Sequence, residues 1–275
     1  MWEDDLEAQA RRKVAWLIGI VAVAAVGVGG WLWYRWAQHA TQQAPPPPPA
    51  AAPPASAASE AQIAHPIPAE GGAGALPTLN DSDAMVRDSI AGVLGKHPVE
   101  QFLVPQNIVR HVVVTVDNLP RHHLGVELRP VKPTRGQTVT ATAGGGTTLS
   151  EANYARYAPL VHVVEGTDVK AVAVVYERLY PLFQQAYEDL GYPGKYFNDR
   201  LVEVIDDLLQ TPEITGPIQL VQPKVAWQYA DQSIESRSAG QKLLIRMGAA
   251  NARVIKAKLR EFRADIVQNR TTNKQ

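Results

Sequence analysis

The chain has 275 residues, a formal net charge of zero, 21 prolines and no cysteine. That length exceeds the usual single-domain range of about 100–200 residues, so at least one segment is expected outside the core. The lack of cysteine excludes a disulfide framework, a thiolate metal site and every thiol mechanism.

Residues 1–13 end in Arg11, Arg12 and Lys13, and the run from Val14 to Tyr34 that follows carries no charge. As a helix its 21 positions span about 31 Å, the thickness of a bilayer's hydrocarbon layer. Trp16 marks one end of the run and Trp31, Trp33, Tyr34 and Trp36 crowd the other, as amphipathic rings do at head-group boundaries. We therefore read 14–36 as a transmembrane helix. After the uncharged run only Arg35 precedes the next basic residue, Arg87, so positive residues staying inside put 1–13 in the cytoplasm and the large C-terminal part outside. The expected setting is a bacterial inner membrane crossed once, with a periplasmic domain. A cleaved signal peptide is the rival, opposed by the length of the run, its bulky aromatic end and the absence of a small-x-small site directly after it.

Residues 37–77 read as a disordered Pro/Ala-rich linker, since ten of the 21 prolines fall between Gln42 and Pro77 among alanine, serine and glycine. Pro45 to Pro49, with Pro53 and Pro54, favour polyproline II and a semi-rigid spacer. The globular domain is expected over 78–270, with 271–275 as a tail.

Within it, Asn80, Asp81 and Ser82 offer caps for a helix through Leu94, stopped by Gly95, and Pro98 opens a short second helix. Ile108 to Val116 is β-branched but also spaced for a helix, and is read as one. Leu124 to Ala143 reads as short strands around a Pro/Gly-rich turn, followed by a mobile loop at Gly144 to Gly146. Ser150 caps a helix containing Tyr154 and Tyr157. From Asp168 to Leu190, Val172, Val175, Tyr176, Leu179, Phe183, Ala186, Tyr187 and Leu190 form one apolar face, and Pro181 is expected to kink or split that helix. A helix starting at an Asn198 cap carries Leu201, Val204, Ile205 and Leu208. Short strands at 218–221 and 225–229 precede helices at 241–247 and 251–267, the last with a stripe of Ile255, Leu259, Phe262 and Ile266. The sum is a mainly α fold with a small β element, α+β, without βαβ alternation.

Charge is polarised along this domain: residues 151–213 hold 11 acidic and 5 basic side chains, residues 242–275 hold 2 and 9. The basic terminal helix could meet an anionic polymer or lipid head groups, or fold back on the acidic helices; the ordinary charging of exposed helix faces favours the second.

No P-loop, dinucleotide fingerprint, nucleophile elbow or zinc-helix motif occurs, so no catalytic residue and no cofactor is assigned. His122 and His123 with Glu127 and Asp117 lack a recognised ligand spacing and read as a solvated turn, so no metal is expected. Glu203, Asp206 and Asp207 lie opposite a leucine stripe, which places them on a solvated face. Seven of nine tyrosines fall between Tyr154 and Tyr196. Tyr154, Tyr157, Tyr187 and Tyr192, with Asp199 and Arg200, are the candidate lining of a ligand or partner groove, against the alternative that the rings are core.

Five runs carry a resemblance: 116–121 (VDNLPR), 153–157 (NYARY), 186–193 (AYEDLGYP), 197–201 (FNDRL) and 238–248 (SAGQKLLIRMG). Together they resemble the bacterial family catalogued as domain of unknown function 3014, over about residues 77–268. The resemblance implies a membrane helix, a Pro/Ala-rich linker and an outer domain, and brings no activity, substrate or catalytic residue.

The expected function is a binding or scaffold domain held at the inner membrane and presented to a protein or cell-wall partner, with no nucleic-acid partner. The alternative is a hydrolase or transferase of an envelope polymer, using carboxylates among Asp117, Asp199, Glu203 and Asp206. Oligomeric state is not written in the residues.

Overall fold

The computed structural model of the chain describes residues 63–67, 75–143 and 145–268. The expected cytoplasmic tail at 1–13 and membrane span at 14–36, most of the expected 37–77 linker and the expected tail at 271–275 lie outside the described residues. Among those described, no helix is long and apolar enough to cross a membrane.

The chain is mainly helical with a small antiparallel sheet, an α+β arrangement. A 3-10 turn at Leu79–Asp81 leads into α1 (Asp83–Leu94) and α2 (Lys96–Phe102), then α3 (Ile108–Asn118). Strands β1 (Thr140–Ala143) and β2 (Gly146–Leu149) precede α4 (Glu151–Ala155), α5 (Ala158–Glu165), α6 (Val169–Asp189) and α7 (Phe197–Leu209). Strands β3 (Gln219–Val221) and β4 (Gln228–Tyr229) follow, then α8 (Gln232–Glu235), α9 (Ala239–Met247) and α10 (Ala249–Gln268).

Helix α6 is the central member, packed against α1, α3, α7 and α10. Asp168 caps it by accepting from the Lys170 and Ala171 amides, and burial of Tyr176, Leu179, Tyr180, Leu182, Phe183 and Tyr187 holds it. Of the expected kink or split the split does not occur, and one helix runs through Pro181. The apolar residues buried on both sides outweigh the single backbone bond that proline removes. Asn198 is also not a cap: α7 starts one residue earlier, and Asn198 is fully buried with its side chain turned to other elements. Asp83, rather than a residue of its own turn, closes the start of α3, where its carboxylate accepts from the Asn107 and Ile108 amides at 2.7 and 2.9 Å.

The sheet has the order β1-β2-β3-β4, all neighbours antiparallel. Of the span read as strands over 124–143, only its last four residues belong to the sheet; upstream, Leu103 and Val131 form an isolated bridge. Of the Gly-rich stretch at 144–146, Gly144 lies outside the described residues, Gly145 stands in a turn at φ +77° and Gly146 pairs with Ala143 as the first residue of β2. Under the sheet, Leu149, Ile218, Leu220, Tyr229, Ile234 and Ile245 form a small apolar cluster. The larger core lies among α1, α3, α5, α6, α7 and α10, and Ile67, from the span read as linker, is buried in it.

Candidate functional site

The end of α3 brings Asp117 into the protein, where the residue is 3% exposed. Arg121, one turn on, donates to its Oδ2. Arg200, from the first turn of α7, places Nε 3.3 Å from Oδ1 and donates through Nη2 to the Asp117 carbonyl at 2.9 Å. Tyr192, in the connection between α6 and α7, donates its hydroxyl to Oδ2 at 3.2 Å and accepts from Arg121 at 3.0 Å. A buried carboxylate requires such company, because desolvating an unpaired charge costs several kcal/mol.

The outer rim of this group is open. The Arg121 side chain is 54% exposed and Arg200, 24% exposed, also pairs with the surface residue Glu203 at 3.2 Å. Lys195 sits 5.4 Å above the Tyr192 ring, and Tyr192 stacks on Tyr187 at 4.7 Å. Burial pushes the Tyr187 phenol above its ordinary range, with the Arg200 cation pulling the other way. The result is a cationic and aromatic rim on an ionic base. It suits the docking of an anionic or planar group, since guanidinium and ring faces pair with both.

Of the six residues named for a groove, Tyr187, Tyr192 and Arg200 come together here. Asp199 points elsewhere and accepts from the Ala64 and His65 amides. Tyr157 is buried in the main core, and Tyr154 lies against Gly248 beside the sheet cluster.

Next to Tyr154 is a second polar node. Asn153 is 0% exposed; its amide donates to the Arg246 carbonyl at 3.0 Å, and its oxygen accepts from the Val139 amide at 3.2 Å and from Arg156 at 2.7 Å. The segment 238–248 joins the two nodes. At one end the Ala239 and Gly240 amides donate to the carbonyls of Arg121 and Leu119, and Ser238 and Gln241 both donate to the Asp207 carboxylate. At the other end lie Arg246 and Gly248. A Cβ on Gly240 would stand 2.4 Å from a Leu208 methyl, and one on Gly248 2.6 Å from the Tyr154 ring, so glycine is what permits both close approaches.

The face expected to be solvated for Glu203, Asp206 and Asp207 is thus covered in part: Glu203 is exposed and the Asp206 side chain is 43% exposed, yet Asp206 and Asp207 each hold another helix. Asp206 holds Arg263 of α10 through two bonds, at 2.6 and 2.9 Å, and Asp207 holds α9. The basic terminal helix folds against the acidic α7, and Lys256 reaches the Thr211 carbonyl at 2.7 Å in a buried position. Sequence reasoning names Asp207 only as a surface group and passes over Gln241 and Lys256, because their partners are remote in the chain; the Ser238-Gln241 capping pattern is the available signal. His122, His123 and Glu127 are exposed, and among the described residues no group of three potential metal ligands occurs.

A family model described as a protein of unknown function (DUF3014) matches residues 108–263. No curated protein and no solved structure matches the chain.

Proposed function

We propose, for a chain that belongs to the DUF3014 family of proteins of unknown function, a non-enzymatic role: a binding or scaffold domain held at a bacterial inner membrane and offered to a periplasmic protein or cell-wall partner. The observation that carries the non-enzymatic part is the engagement of all four carboxylates considered for acid–base chemistry. Asp117 is held by two arginines and a tyrosine, Asp199 by two backbone amides, Glu203 by Arg200 and Asp206 by Arg263. Acid–base work needs a carboxylate within hydrogen-bond reach of the reacting proton, and each of these four is already bonded to other groups of the chain. The contact face of the domain is the rim of Arg121, Tyr192, Lys195 and Arg200.

The uncharged run 14–34 behind Arg11, Arg12 and Lys13 supports the membrane placement, and the proline-rich stretch supports a domain set off from the lipid. Because the chain has no cysteine, an introduced one reports topology directly. Val225 is 92% exposed; V225C is expected to react with a membrane-impermeant maleimide in spheroplasts, and E7C only after lysis. The reverse pattern overturns the orientation. For the partner, photo-crosslinkers placed at Arg121 or Lys195 in intact cells are expected to capture one defined species, and capture by the anchor and linker alone overturns the role of the rim.

A further inference from the structure

The segment Ile63 to Ile67 lies on the N-terminal edge of α7 in the manner of a bound peptide. Asp199 receives two successive backbone amides, Ala64 N–H on Oδ2 at 2.8 Å and His65 N–H on Oδ1 at 2.6 Å. The Tyr196 hydroxyl accepts from the Ile67 amide at 2.7 Å. Asn198 donates its side-chain amide to the His65 carbonyl at 2.9 Å, and Asn198 is itself 0% exposed and oriented by the Tyr176 hydroxyl at 3.0 Å. The Ile67 side chain, 8% exposed, fills an apolar seat in the main core, while Ile63 at the other end is 49% exposed.

Every polar contact made by Asp199, Tyr196 and Asn198 to this segment is with its backbone. Such a site reads a bent main chain, with two successive amides turned to one carboxylate, plus one apolar anchor, and tolerates other side chains. The occupant suits it: Pro66 fixes its own φ and restricts the residue before it, which lowers the entropy lost on docking. Pro66 also sits at the one interior position from which the site takes no amide. In sequence, only the seven residues 68–74, three of them glycine, separate Ile67 from the next described residue. A connection that short gives the segment an effective concentration on the order of millimolar at its own seat.

We propose that the edge formed by Tyr196, Asn198 and Asp199 is a peptide-binding site, filled in the resting molecule by residues 63–67. In trans it takes a peptide that bends in the same way and bears a proline directly before an apolar anchor. Peptide capture at this edge is independent of the Arg121–Arg200 rim and of any membrane anchor, and extends the proposed role by a second contact surface.

The test uses the full chain in detergent with I67D, which empties the apolar seat, and a fluorescein-labelled peptide of residues 62–68. Saturable binding to I67D is expected, with at least about tenfold weaker binding to the parent chain, whose site is filled. Adding D199A to I67D is expected to abolish it. No saturable binding to a folded I67D chain overturns the proposal, as does equal binding to the I67D and I67D/D199A chains. Hydrogen exchange on the parent chain gives a measurement that does not depend on I67D folding. The Ala64, His65 and Ile67 amides are expected to be protected, and the first two to lose protection in D199A; exchange at the rate of a free peptide in the parent chain overturns the proposal.

Discussion

Asp117 and Asn153 are equally closed off from solvent, at 3% and 0% exposure, yet their neighbours differ in kind. Asp117 lies among guanidinium groups whose far sides reach water, so the charges it gathers remain partly hydrated. Asn153 bonds to the backbone of two other segments and to Arg156, tying the start of β1 to α9. An amide that donates and accepts at once can bridge a carbonyl and an N–H, which a carboxylate cannot do. The difference separates a hub that fastens helices near a surface from one that fastens a sheet to a helix inside.

Exchanging the two chemistries gives the sharpest contrast. N153D is expected to destabilise by about 4 kcal/mol, because it sets a buried oxygen against the Arg246 carbonyl and desolvates a charge. D117N is expected to cost about 2 kcal/mol, since Arg121 and part of Arg200 turn to water when the carboxylate is gone. Denaturant melts of both chains check this, and equal losses would erase the distinction. Deleting the amide in N153A is expected to cost about 3 kcal/mol by leaving the Val139 amide and the Arg246 carbonyl without this partner.

Alkali probes the sheet side differently. Burial pushes the Tyr229 phenol up to about 12 from an ordinary value of 10. Above pH 10 the unfolded chain therefore binds fewer protons than the native one, and stability falls by up to about 1.4 kcal/mol per pH unit through pH 12. The stabilisation is fully present below pH 10. In Y229F this contribution to the alkaline fall is expected to vanish, as read by melts at pH 9 to 12. The smallest effect belongs to Y192F, which removes one hydroxyl shared by Asp117 and Arg121 at the open rim and is expected to cost about 1 kcal/mol or less.

Periodicity made α6, α7, α9 and α10 legible within a few residues, because each buries one face against the core and that face repeats every turn. Pro181 does not split its helix and Asn198 does not cap one, for a shared reason. Local rules treat proline as a breaker and asparagine as a cap, whereas packing on Tyr176 and its neighbours decided both. On the acidic face of α7, amphipathicity tells which side faces the core, not that α9 and α10 return to cover its edges with Ser238, Gln241 and Arg263. At the ionic node the tyrosines and Arg200 were visible as residue types, but their meeting point was not: Asp117 lies 83 positions from Arg200. The five runs that carried the family resemblance converge on the two nodes and the segment joining them, so the resemblance marked the polar framework more closely than any periodicity did.

The docking of residues 63–67 on α7 also has a temporal side. Ala64 and Asp199 are 135 positions apart, so during synthesis the segment leaves the ribosome on the order of ten seconds before its seat is made. Through that interval Ile67 has no native cover, and the contact belongs to the last, non-local stage of folding. A refolding experiment following amide protection at Ala64 and His65 is expected to find them closing after α6 and α7, which makes this segment the clasp that reports completion of the domain.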